Sequence, residues 1–308
     1  MRIGIVLGGG GTVGYGWHTG VLRGLAEVAG IDARDADEVV GTSAGSYAAA
    51  YLRAGISGTD LFCLAVGEQV SSDAQELIRR AGRTGELGSP GRRSLRPSDP
   101  SVLRLAVAER RIPPLGALLG GLLPTGNVSA EPYLGPIRTL FADGAWPDGL
   151  RIAAVRQRDG ARVVFDGTSG VQVADAVAAS SAVPAYMEPV DLHGERYVDG
   201  STHAPTNADV LAGAGLDVVV VSAPMSPPAQ GVQLARDLPV RWWAARHLRH
   251  EVQALVRAGT RVVALTPSAR SRETMAPSGM SEAVRGPAAR IAYRQMLDGG
   301  DALARQLS

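Results

Sequence analysis

No lysine occurs in the sequence; all 31 of its basic side chains are arginine. This excludes a phosphate-binding P-loop, which needs a lysine ammonium on the phosphates, and otherwise reads as a coding bias. Cysteine is almost missing as well. With Cys63 alone, an internal disulfide and a cysteine metal cluster are excluded, which suits a reducing compartment. Long apolar runs are absent too, none approaching the roughly 20 residues that cross a bilayer. The first residues, Met1 to Leu7, lead straight into glycines without the apolar core or cleavage site of a signal peptide. A cytoplasmic protein is expected.

What remains is globular material. A chain of 308 residues, 45% hydrophobic and with mean hydropathy +0.04, can bury a substantial core in one large domain or two smaller ones. The net charge of +1 hides an uneven spread: nine Arg lie between Arg79 and Arg111, against Glu86, Asp99 and Glu109. Such a run reads first as a solvated face or loop and calls for no nucleic acid; contact with an anionic surface is the alternative.

Ile3 to Leu7 is a short apolar run of the kind a buried parallel strand shows. Gly8-Gly9-Gly10-Gly11-Thr12-Val13-Gly14 follows, then a helical stretch through Val21, Leu22, Leu25 and Val28. A second strand ends in Val39-Val40-Gly41-Thr42-Ser43-Ala44-Gly45, a G-x-S-x-G turn with the helix formers Tyr47 to Leu52 behind it. Two successive β-α units imply a parallel sheet with right-handed crossovers. A serine on so tight a strand-to-helix turn is strained, with its hydroxyl exposed at a helix N-terminus that favours developing negative charge. Ser43 is therefore a candidate nucleophile for acyl transfer.

The glycines formally match the dinucleotide fingerprint at Gly9, Gly11 and Gly14. The second strand, however, ends in Gly-Thr-Ser where an acidic residue should hold a ribose. Backbone N–H groups of the glycine loop, with Ala44 as a further donor, aimed at an oxyanion on Ser43 are the better reading. A merely structural glycine turn is the plainer one.

Farther along, Asp60 to Arg80 reads as helix, Gly82 to Pro100 as a Gly-, Pro-, Ser- and Arg-rich loop, and Val102 to Arg111 as a short helix. The apolar Pro113 to Pro124 segment reads as core, or else as an acyl-chain lining or lid, so residues 57–127 form a cap-like insertion. Ser129 is expected to cap a helix reaching Phe141, and Val173 to Ala182 forms a small-residue helix. Hairpins are expected across Asp159-Gly160 and His193-Gly194, the second delivering the chain to Asp199-Gly200-Ser201. Strands at Asp217 to Ser222 and Thr260 to Leu265 flank an amphipathic helix, Val240 to Ala258. Its Trp242 and Trp243 are expected against the sheet in preference to a lipid interface. Ser281 to Leu307 closes the chain as helix, kinked at Pro287 and broken at Gly299-Gly300.

A serine nucleophile needs a base. None of His18, His193, His203, His247 and His250 lies in a loop typical of a triad histidine; His203, four residues after Asp199, is the best placed of them. Asp199 ends a strand and precedes Gly200, so its carboxylate can project at the sheet edge and act as base directly if burial raises its pKa. An ordinary Asp-Gly turn is the alternative.

Three separated blocks resemble the patatin-like phospholipase family. They are Leu7 to Gly14 with His18-Thr19-Gly20-Val21-Leu22; Gly41 to Ser46; and Ala179 to Pro184, Pro189-Val190 and Tyr197 to Ser201 with Pro205 and Asn207-Ala208-Asp209. With their connections they cover most of residues 1–220. The resemblance implies a three-layer α/β/α fold with a mostly parallel central sheet in one domain over residues 1–308, residues 223–308 adding a strand and helices. It implies hydrolysis of lipid acyl esters without metal or cofactor, through a Ser–Asp dyad. By position Ser43 is the nucleophile, Asp199 the base, and Gly9, Gly10 and Gly11 the oxyanion loop. Two positions depart from the family pattern: Val13 where a basic residue is common, and Ser201 where Gly or Ala is usual. The expected partner is a lipid or acyl-ester substrate, with peripheral membrane contact through the Arg-rich cap as an open reading. A lipid-binding protein that lacks turnover, and a nucleotide-binding oxidoreductase, are the competing readings.

Overall fold

The structure, a computed structural model, describes residues 1–82, 97–99, 121–226, 238–275 and 279–307. Most of the expected Gly82 to Pro100 loop, the Val102 to Arg111 helix and most of the Pro113 to Pro124 segment lie outside these residues.

A single mixed sheet organises the chain. Strands β1 (Ile3–Leu7), β2 (Glu38–Thr42), β3 (Leu150–Arg156), β7 (Val218–Ser222) and β8 (Arg261–Leu265) run parallel. The hairpin strand β4 (Arg162–Phe165) pairs antiparallel with β3, as does β6 (Glu195–Asp199), which also pairs with β5 (Val190–Leu192). The order is β5-β6-β3-β2-β1-β7-β8, with β4 on β3. Both expected hairpins form.

The near-continuous apolar runs are what strands covered on both faces require. Ile5 and Leu7 of β1 enter one core layer and Val6 the other; Val218 and Val220 of β7 face one way, Val219 and Val221 the other. On the first face lie α1 (Gly11–Ala29), α2 (Ala44–Arg53), α3 (Gly58–Val66), α4 (Ser72–Ala81), α5 (Glu131–Leu140) and α6 (Val173–Ser180). On the second lie the 3-10 turn Ala208–Leu211 and α7 (Leu238–Arg257). After β8 come α8 (Ala269–Met275), α9 (Glu282–Asp298), which carries Pro287 within it, and α10 (Gly300–Leu307).

Three local expectations change. The Asp60 to Arg80 helix is two helices, α3 ended by left-handed Gly67 and α4 begun by Ser71, whose hydroxyl accepts from the Ala74 N–H. Ala130, not Ser129, is the N-cap of α5, although the Ser129 hydroxyl still accepts from the Glu131 N–H at 3.2 Å. Trp242 does not pack on the sheet: it is 59% exposed with the Arg246 guanidinium near its ring, while half-buried Trp243 lies against the His247 ring at a tilt of 54°. Both α3 and α4 bury side chains in the main body, among them Leu61, Phe62 and Ala74.

Among the described residues the most extensive helix contact is α1 with α9. Gly16, Gly20 and Gly24, one turn apart, let the two backbones approach until a Cβ on Gly20 would lie 2.2 Å from the Ala289 carbonyl oxygen. Such an approach tolerates no added volume. Gly20→Ala is expected to destabilise the protein by about 1–3 kcal/mol, read as a lower urea midpoint at unchanged m-value.

Candidate active site

The register along β3 brings two distant residues together. Val39 to Thr42 of β2 pair with Leu150 to Ala153 of β3, and Thr42 ends opposite Ala153. Ala154 to Arg156 pair with β6, and Asp199 lies opposite Ala154. Because β4 occupies the other edge of β3 from Ile152 to Val155, β2 and β6 must share one edge and meet end to end. Ser43, one residue past the end of β2, and Asp199, the last residue of β6, therefore face each other. The Ser43 hydroxyl donates to Asp199 Oδ2 at 2.6 Å, and the two residues are only 5% and 3% exposed.

The turn that carries Ser43 is strained. Its φ of 52° and ψ of −121° belong to a region that L-residues seldom occupy. Its surroundings hold it there. The Ser43 N–H donates to Ser180 Oγ at 2.8 Å, and that hydroxyl donates on to the Ala153 carbonyl at 2.7 Å. The Ser43 carbonyl accepts from the Ser46 N–H and from the Ser46 hydroxyl. α2 begins at Ala44, so its positive end lies beside the hydroxyl.

The glycine loop runs from the end of β1 into α1, at the point where the sheet order reverses between β2 and β7. Open α/β sheets place their ligand crevices at such a point. The three glycines differ in what they offer. The Gly9 N–H is already committed to the Pro205 carbonyl at 2.8 Å, so Gly9 is not a free donor. Its contribution is space: a Cβ there would fall 2.1 Å from Ser201 Oγ and 3.4 Å from Ser43 Cβ. The N–H groups of Gly10, Gly11 and Ala44 find no acceptor among the described residues. The space above Gly9 is taken by the Ser201 and Ser43 side chains, which leaves the dinucleotide reading without its pyrophosphate seat there.

Asp199 titrates unusually. Burial pushes its carboxyl up to about 6, and the Ser43 hydroxyl and the Ser201 N–H, the latter at 2.7 Å from Oδ1, pull back only part of the way. The Ser201 hydroxyl, buried and without a hydrogen-bond partner of its own, also pulls this carboxyl down.

The histidines stand elsewhere. His18 is wholly buried; its Nε2 lies 2.6 Å from the Gly8 carbonyl and its Nδ1 2.8 Å from Ser222 Oγ. A carbonyl can only accept, so Nε2 carries the proton and Nδ1 accepts from Ser222. Burial lowers this imidazole to about 4, which keeps it a neutral strut between the glycine loop and β7. His203 faces Arg162, Asp209 and His247, is lowered by burial and then by Arg162, and makes no hydrogen bond to Ser43. Among the described residues no group of three or more His, Cys, Asp or Glu could hold a metal ion, and no helix is long and apolar enough to cross a membrane.

The family model described as patatin-like phospholipase matches residues 5–212. The chain belongs to the patatin-like phospholipase family. No curated protein matches it. Among solved structures, VipD from Legionella pneumophila aligns over 98% of this chain and 67% of its own, at 17% identity and TM-score 0.46. The type III effector protein ExoU aligns over 100% of this chain and 54% of its own, at 16% identity and TM-score 0.41. The chain thus spans about two thirds and about half of those two proteins.

Against the patatin-like pattern, Val13 is buried and donates its N–H to the Gly279 carbonyl, so no charge stands at that position. Ser180, which holds the strained peptide, carried no role in the sequence reading. Its signals were its place in the Ala179 to Pro184 block and a hydroxyl pair ending a helix rich in Val and Ala.

The Asp199 shift has a consequence for stability. The folded state holds the proton more tightly than an unfolded Asp at 3.8, so the buried carboxylate opposes folding above about pH 6 and not below about pH 4. Asp199→Asn is expected to raise stability by about 1–3 kcal/mol at pH 8, with the gain shrinking as pH falls toward 4, measured by urea titration at both ends.

Proposed function

We propose that the protein is a serine acyl hydrolase of lipid-like esters, with Ser43 as nucleophile and Asp199 as general base. One observation carries the reading: the 2.6 Å hydrogen bond from the Ser43 hydroxyl to a carboxylate almost sealed from water. Family membership supports the substrate class.

The steps follow from the geometry. Ser43 Oγ attacks the ester carbonyl carbon while its proton passes to Asp199 Oδ2, which is already in contact. A carboxylate raised to about 6 accepts a proton more readily than an ordinary Asp, yet is ionised at neutral pH. The negative charge that develops on the carbonyl oxygen is met by the unfilled N–H groups of Gly10, Gly11 and Ala44 and by the positive end of α2. One such donor contributes roughly 3 kcal/mol to lowering the barrier. Collapse breaks the ester C–O bond, and the leaving alcohol takes the proton from Asp199, leaving Ser43 acylated. Water then attacks the acyl-enzyme, gives its proton to Asp199, and releases the acid as the proton returns to Ser43.

A fluorophosphonate probe is expected to label Ser43 in the wild type and to leave Ser43→Ala unlabelled. Turnover of a short p-nitrophenyl ester is expected to give a kcat/KM that rises with pH about a midpoint near 6, because the ionised base is the active form. A folded protein that takes no probe and cleaves no ester would instead be the lipid-binding protein without turnover.

Space at Gly9 yields a second expectation. Gly9→Ala should slow labelling at least roughly tenfold, since its Cβ collides with Ser201 Oγ and displaces the dyad. The double variant Gly9→Ala/Ser201→Gly removes the colliding atoms and should recover most of that rate; no recovery would mean that the Ser43 contact governs.

A further inference from the structure

α7 turns an apolar stripe toward the sheet through Ala244, Leu248 and Leu255, and Glu251 sits in that stripe, 5% exposed. A leucine there would fit the stripe; a carboxylate buried among apolar groups persists only where donors satisfy it. Three donors do so here, all from one loop. The Thr206 hydroxyl and the Ala208 N–H donate to Oε2, the latter at 3.1 Å, and the Asn207 N–H donates to Oε1 at 3.1 Å.

That loop touches every part of the site. Pro205 accepts from the Gly9 N–H. Asn207, itself at φ 53°, donates from Nδ2 to the Ala204 carbonyl at 2.7 Å, to Thr42 Oγ1 at 3.2 Å and to the Gly200 carbonyl at 3.3 Å. Thr42 immediately precedes Ser43, and Gly200 immediately follows Asp199. Asn207 therefore spans the segments that carry Ser43 and Asp199, and Glu251 holds the peptide N–H groups on both sides of Asn207.

We propose that Glu251 is a positioning residue for the reaction at Ser43: through residues 206–208 it sets the separation of the hydroxyl and the carboxylate. It lies beyond the 5–212 span that the family model matches. Burial pushes its own carboxyl up to about 7; Asp209 adds to that rise, while the Thr206 hydroxyl, the Ala208 N–H and Arg162 oppose it. Protonated on Oε2, it donates to the Thr206 hydroxyl oxygen, which can turn to accept, while the remaining lone pairs still accept from the two backbone N–H groups, so the loop stays held across neutral pH. Glutamine cannot do this, because its NH2 meets one of the two backbone N–H groups donor to donor.

The inference rests on the hydrolase reading, and its test separates the two. In the full chain, Glu251→Gln is expected to lower kcat on a p-nitrophenyl ester between about tenfold and a hundredfold at unchanged KM, the loss expected of a reacting pair displaced by a fraction of an ångström. Amide exchange in a peptide spanning 200–210 should quicken at least tenfold while β1 and β7 stay protected. Wild-type kcat in this variant overturns the proposal, as does exchange that rises equally in β1 and β7, which marks general loosening. If Glu251→Gln does not fold, Thr206→Val, which removes only the hydroxyl donor, is expected to show the same pattern at a roughly threefold to tenfold loss of kcat, and an unchanged kcat there also overturns it. A wild type that cleaves no ester and takes no fluorophosphonate sinks the hydrolase reading and the catalytic half of this one. Selective exchange then decides whether Glu251 holds the loop.

Discussion

A carboxylate with too few hydrogen bonds is the constraint on which this structure turns. Two buried aspartates in the chain show why. Asp60 accepts from the Ser57 hydroxyl, the Ser71 N–H and the Ser71 hydroxyl, and these donors outweigh its shallower burial and hold it below the usual carboxylate range. Asp199 lies deeper and accepts from one hydroxyl and one N–H, so burial wins and its carboxyl rises. The same residue type thus does opposite things: Asp60 ties the start of α3 to the start of α4, and Asp199 is left avid for a proton. The proton within reach belongs to Ser43.

Keeping that pair in contact requires backbone that the chain would not adopt unaided. Ser43 and Asn207, neither of them glycine, both sit at positive φ, where each costs of order 1–3 kcal/mol. Each is held by more than one bond: Ser43 by Ser180 at its N–H and by Ser46 at its carbonyl, Asn207 by the three acceptors of its side chain and by Glu251. Strain distributed this way lets the surrounding sheet, whose central strands β1, β2, β3 and β7 are buried on both faces, hold a geometry that local preference opposes. On the proposed mechanism it also means that the reacting atoms need not be brought together when substrate binds.

What was legible in the sequence divides along the same line. Apolar runs of β1, β2 and β7, the strand-to-helix turn at Ser43, and both hairpins could be read because each is a local pattern. Asp199 could be proposed because it ends a hairpin strand before glycine. That β2 and β6 meet end to end on one edge of β3 could not be read, since it depends on which edge β4 takes, a matter of pairing between segments more than 100 residues apart in part. The commitment of the Gly9 N–H to Pro205 was hidden for the same reason: a polyglycine run looks like a row of equal donors until the far side of the crevice is known. Trp242 erred the other way. Periodicity places it on a helix, but its position two residues before Ala244 puts it off the buried stripe and in solvent. Glu251 did leave a trace, as the one acidic residue of α7 and one placed on the stripe itself.

The matched span ends at residue 212, yet the site does not. Gly8 donates to the Ser222 carbonyl, and His18 reaches the Ser222 hydroxyl. Val13, in the first turn of α1, donates to the Gly279 carbonyl, and Gly10 lies against the Pro224 ring. Glu251 holds the loop behind Asp199. All of these contacts come from β7 or later. β7 itself pairs with β1 along its whole length, so removing the C-terminal third would expose an edge of β1 at the very strand that carries the glycine loop. The N-terminal two thirds hold Ser43 and Asp199, while the glycine loop beside them is fixed in part from the other side of the switch point, by residues beyond the matched span.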